Sequence, residues 1–143
     1  MKYLSPYRLA TYLLVLFCLG HTIGGMLLQQ SLGLAADAVF LSMKTIHFTF
    51  NGSETSWYNF WFCFGLIASV FLLFSAVTAW TLAGVGPGEW KKVRPIAWAL
   101  FVAHVANAAL TWIYCFAAAG VLAAIIALLL GIGLMRASTR DSN

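Results

Sequence analysis

Charge is what this chain has least of: 8% of its 143 residues are charged, four acidic and eight basic, where an ordinary soluble domain carries about 25%. The four acidic residues, Asp37, Glu54, Glu89 and Asp141, all lie outside the long apolar stretches. That argues against a proton-coupled exporter, which needs a carboxylate within the membrane to exchange protons with cargo. Cysteine is also scarce. Cys18, Cys63 and Cys115 form no CxxC, so a thiol-oxidoreductase redox pair is missing, and each reads as a small buried hydrophobe. The basic excess, a formal +4, sits at the ends of the apolar blocks rather than in one patch. It is a topology signal, and no nucleic-acid partner is expected.

What is abundant is apolar surface, 62% of residues with a mean hydropathy of +0.89. Charge-free runs extend from Leu9 to Ala36, from Trp57 to Gly88 and from Pro95 to Met135. At ~20 residues per crossing these hold about four membrane spans. The expected boundaries are 9–28, 58–83, 96–116 and 120–135, the second long and the fourth short. One unbroken helix from Pro95 to Met135 would be about 60 Å long, twice the hydrocarbon thickness. A tight hairpin at Ala117–Gly120 is expected instead. The fold class that follows is all-α, a single four-span integral membrane bundle covering residues 1–143.

With four spans, Lys2, Arg8, Lys91, Lys92, Arg94, Arg136 and Arg140 share one side and Lys44 alone lies opposite. The positive-inside rule then makes both termini cytoplasmic in a bacterial inner membrane. The first span reads as a retained signal anchor, since no small-x-small cleavage site ends it.

The one substantial loop, Gln29 to Trp57, would face away from the cytoplasm. Leu34, Val39, Phe40, Met43, Ile46, His47 and Phe50 recur there at roughly helical spacing, with Asp37, Lys44 and Thr45 elsewhere on the wheel. This predicts a short extracytoplasmic amphipathic helix between spans one and two. Asn51-Gly52 supplies a turn, and Ser53, Thr55 or Ser56 caps span two. Trp57, Tyr58 and Trp61 mark one interface, and Trp80, Trp90 and Trp98 the other.

Chemistry is sought among polar groups that lipid would penalise. His21 in span one, and His104, Asn107 and Thr111 along one face of span three, should point inward, with Gly20 and Gly24 easing close helix contact. A hydrogen-bonded pair between His21 and Asn107 is expected. At the outer mouth His47, Glu54, Trp57, Asn59 and Trp61 crowd together, a His and a Glu suited to acid-base work or to holding a headgroup. No catalytic residue and no metal ligand set is assigned. No cofactor is expected, haem b between two intramembrane histidines being an alternative. The leading reading is a protein that binds or acts on a lipid-like or apolar ligand at its extracytoplasmic side. The alternative is a structural subunit of a larger complex, homo- or hetero-oligomeric, which would present a small-residue helix face to its partner.

The segment Met43-Lys44-Thr45-Ile46-His47-Phe48-Thr49-Phe50-Asn51-Gly52, followed by Ser56-Trp57-Tyr58-Asn59-Phe60-Trp61-Phe62-Cys63-Phe64-Gly65, resembles an uncharacterised family of small bacterial four-span membrane proteins. That resemblance implies a shared fold and membrane location, with His21, His47, Gly52, Trp57, Phe60 and Gly65 as matching positions. It carries over no catalytic assignment.

Overall fold

The computed structural model describes residues 5–28 and 30–141. Lys2 and the side chain of Arg140, both counted in the charge tally, lie outside the described residues. The fold is helical. Helix α1 (Pro6–Leu19) runs on into a π-helical segment, Gly20–Leu27. Short helix α2 (Leu34–Thr45) follows, then strands β1 (His47–Phe50) and β2 (Ser53–Ser56), and helices α3 (Trp57–Leu82), α4 (Trp90–Tyr114) and α5 (Ala117–Asp141). Four helices are long and apolar enough to cross a membrane: Pro6–Leu27, Trp57–Leu82, Trp90–Tyr114 and Ala117–Thr139. Their surfaces carry large exposed side chains such as Leu16, Phe64, Val70 and Ile113. Lipid, not water, is the solvent such surfaces suit.

Three expected boundaries move. Helix α4 starts at Trp90, not after Pro95. Pro95, the sixth residue of the helix, forgoes one backbone bond, to the carbonyl of Lys91, and the helix continues through it. Helix α5 is 25 residues long rather than short, and the break before it falls at Cys115–Phe116. The predicted helical stretch reaching to Phe50 ends at Thr45, because His47–Phe50 pairs antiparallel with Ser53–Ser56. Asn51 (φ 49°) and Gly52 (φ 82°) turn the hairpin. Two successive left-handed residues are what a two-residue hairpin loop demands, and Asn-Gly supplies them at least strain. The Ser56 hydroxyl accepts the Asn59 N–H at 3.3 Å, capping α3 as expected.

The chain divides into two compact units, each with its own contacts: residues up to 17 together with those from 72 onward, and Cys18–Phe71. In the first, α4 and α5 form an antiparallel hairpin. Trp90 Nε1 donates to Ser138 Oγ at 3.3 Å, Phe101 meets Gly131 and Trp112 meets Gly120. Buried positions follow one helical face, at Ala97, Leu100, His104 and Thr111 on α4 and at Ala119, Ala123, Ile126, Ala127, Leu130 and Leu134 on α5. Small residues on α5 let the backbones approach, the packing that holds helices together where the hydrophobic effect is absent. Thr11 donates to the Tyr7 carbonyl at 2.9 Å and lies 3.4 Å from the Ala76 carbonyl, tying α1 to α3.

In the second unit the π-helical segment packs on the first half of α3, and α2 and the hairpin lie beside the start of α3. Ring contacts gather there. Phe48 lies against Trp57 and Phe60, Phe50 edges onto Phe60, and Phe40 edges onto Trp61.

Candidate functional site

His21 sits in the π-helical segment, where three glycines in eight residues (Gly20, Gly24, Gly25) weaken α-helical pairing. Wide turns of this kind recur at functional positions. His21 Nε2 lies 3.0 Å from the carbonyl oxygen of Gly65 on α3. A carbonyl only accepts, so Nε2 donates this bond. The polar partner the structure gives His21 is thus a backbone carbonyl on span two, while Asn107, the partner expected from the sequence, belongs to the other unit. A close glycine made that carbonyl reachable. Around it run further polar contacts: Ser69 Oγ donates to Gly65 O (3.2 Å), Thr22 Oγ1 to Ser69 Oγ (2.8 Å) and Cys18 Sγ to Ser69 O (3.4 Å). Each polar side chain in this stretch therefore has a protein partner, as the cost of bare polar groups in lipid requires.

Beside this seam opens a cavity of about 650 Å³. Gly24, Gly25 and Leu28 line it from the end of the first span, Phe40 and Leu41 from α2, and Trp61 from α3. A side chain at Gly24 would meet nothing within 4 Å, so the glycine leaves this space open. Polar groups converge on the same cavity: Gln30, Ser31, Asp37 and Lys44. Asp37 accepts from the Ser31 hydroxyl at 2.5 Å and from the Leu32 N–H at 3.0 Å. The Ser31 bond first, and the Leu32 N–H second, hold its carboxyl below the usual carboxylate range. It therefore stays ionised and ties the segment before α2 to the first turn of that helix. Seven residues on, the Lys44 ammonium lies 4.7 Å above the Tyr58 ring, and Tyr58 in turn packs on Trp61 at 5.5 Å.

Of the residues singled out from the sequence, Trp61 lines this cavity, and His21 Nδ1 stands behind its wall, 3.8 Å from where a Cβ at Gly25 would lie. Trp57 instead lines a smaller hollow of about 300 Å³ on the other side of α2, with Val39, Met43 and Ile46. His47 and Glu54 meet each other across the hairpin at 3.2 Å, with side chains 53% and 75% exposed. His47 Nε2 also reaches the Lys44 carbonyl at 3.1 Å, so both ring nitrogens face acceptors. These two residues brace the hairpin against the end of α2 and do not line the cavity. Asn59 is exposed on the first turn of α3. His104 and Asn107 belong to the other unit, the first fully buried and the second half-buried.

The cavity residues that sequence reasoning passed over are Gln30, Ser31, Asp37, Phe40 and Lys44. A signal existed: Asp37, Phe40, Leu41 and Lys44 share one helical face at offsets 0, 3, 4 and 7. Among the described residues no three His, Cys, Asp or Glu side chains group as they would around a metal ion. Neither protein-family models nor curated proteins nor solved structures include a match to the chain.

Proposed function

We propose that the protein is a four-helix inner-membrane bundle, both termini cytoplasmic, that binds a lipid-like amphiphile at its extracytoplasmic side. The observation that carries this reading is the cavity of about 650 Å³ beside Trp61. Its walls are mostly apolar and its few polar groups converge, the composition of small-molecule sites. An acyl or isoprenoid chain fits against Gly24, Gly25, Leu28, Phe40 and Trp61, while Lys44 and Asp37 meet the polar end. Helix α2, with an apolar side of Val39, Met43 and Ile46, lies along the membrane surface and covers the bound molecule. The His47–Glu54 pair supports the hairpin and performs no chemistry on the ligand.

The test is mass spectrometry of lipids that co-purify with the full chain in mild detergent. An amphiphile retained by the wild type should be lost from Gly24→Leu, which fills the cavity, and kept by Glu54→Gln. Equal retention by Gly24→Leu would overturn the reading.

A second reading, an accessory subunit or homo-oligomer, is favoured by one observation. Ala99, Val102, Ala106 and Ala109 form an exposed stripe of small side chains along α4. Cross-linking at a cysteine placed at residue 106 should capture a partner helix if this stripe is an interface.

A further inference from the structure

The first unit contains a second polar feature that the cavity does not use. The Arg8 guanidinium carbon lies 3.3 Å from the centroid of the Trp80 ring, and Tyr12, one turn further along α1, packs edge-on against the same indole at 6.4 Å. Stacking of this kind restrains the guanidinium plane and leaves the N–H donors along its edge uncommitted to the ring. Arg8 is half-buried, and its Nη1 is shut off from solvent with no hydrogen-bond partner among the described residues. Among the described residues no carboxylate forms an ion pair with it. A half-buried cation without a counter-ion among the described residues is costly unless an anion completes it.

The surroundings say what kind of anion. Tyr7 packs on Trp90 and against Gly133, which brings the start of α1 to the start of α4 and the end of α5. That end of the unit carries Lys91, Lys92, Arg94 and Arg136, all exposed, and among the described side chains one exposed acid, Glu89. Immediately along the helices from Arg8 and Trp80 come the exposed apolar side chains Tyr12, Leu16, Phe74 and Val77. A phosphate at Arg8 with hydrocarbon lying over those side chains satisfies both halves of the surface.

We propose that Arg8, held on Trp80, is the headgroup site for the phosphate of an anionic phospholipid. The guanidinium edge receives the phosphodiester, the neighbouring lysines and arginines supply an attractive field, and the acyl chains cover Tyr12 and Leu16. A zwitterionic lipid brings its own cation into this basic field and binds less well. The proposal is independent of the cavity beside Trp61.

The experiment is native mass spectrometry of the full chain, exchanged into detergent carrying equal phosphatidylglycerol and phosphatidylcholine. Wild type should retain phosphatidylglycerol about fivefold over phosphatidylcholine, the preference one basic residue earns near anionic lipid. Arg8→Gln should abolish that preference, Arg8→Lys should keep part of it, and Lys92→Gln should leave most of it. Trp80→Leu, which keeps the charge but frees the side chain, should weaken it, and Gly24→Leu should not change it. A melting curve of each variant confirms folding. An unchanged preference in both Arg8→Gln and Trp80→Leu overturns the proposal. Displacement of the lipid by excess inorganic phosphate would overturn it too, by showing a site for the free anion.

Discussion

Met26, in the π-helical end of the first span, lies directly over Gly65 of α3. A Cβ on residue 65 would overlap its sulfur and come within 2.8 Å of its terminal methyl. Met26 is itself buried, 5% exposed. The pair sets how closely the two helices approach, and that approach is what brings His21 within reach of the Gly65 carbonyl.

Gly65→Ala should therefore destabilise the protein by about 1 kcal/mol and Gly65→Leu by about 3 kcal/mol, the range for overpacking a closed contact. Shortening the opposing side chain should relieve it: Met26→Ala combined with Gly65→Ala should cost less than the sum of the two changes. Denaturant titration in detergent micelles checks this. Strict additivity would mean the two residues do not share the contact.

His21→Leu keeps the bulk of the ring but removes the donor to Gly65. Interhelical hydrogen bonds in membranes contribute about 0.6 kcal/mol on average and up to about 1.7 kcal/mol. A loss in that range is expected in the same titration, with His21→Asn recovering part of it. A loss above about 3 kcal/mol would assign His21 a larger packing role than its single bond to α3 explains.

Asp37 predicts a pH dependence. Its folded-state carboxyl titrates below the unfolded value because it accepts from Ser31 and Leu32. The stabilisation of the segment before α2 is therefore present above the ordinary carboxylate range, about pH 4. It is lost as the pH falls through the lowered value. Protection of the Leu32 amide, its exchange measured against the intrinsic rate at each pH, should be high near neutrality and fall in acid. Asp37→Asn should show low protection that does not change with pH, because an amide oxygen is a weaker acceptor for the same two donors.

Topology is predicted by charge. Reporter fusions after Asn143 and within Gly86–Gly88 should both read cytoplasmic, and one at Gly52 should read external. A cytoplasmic signal at Gly52 would overturn this orientation.

The four long helices were legible in the sequence because a membrane span is set by length and apolarity, both local properties. The Asn51-Gly52 turn and the Ser56 cap were legible for a similar reason, since each depends on the conformational preference of one or two residues. Three features depended instead on which groups the fold brings near one another. Helical and strand periods both fit the apolar residues between Leu34 and Phe50, and the pairing of His47–Phe50 with Ser53–Ser56 decided between them. Asn107 stands at a similar depth to His21 in the sequence, yet a glycine on α3 supplies a backbone carbonyl that no side-chain pattern advertises. Asp37 and Lys44 read as the solvated side of a surface helix. The open space left by Gly24 and Gly25, together with the face of Trp61, turned that side toward a cavity. Sequence patterns report a residue's own preferences; a polar group's partner and a cavity's lining are properties of neighbours distant in the chain, and only the tertiary structure decided them.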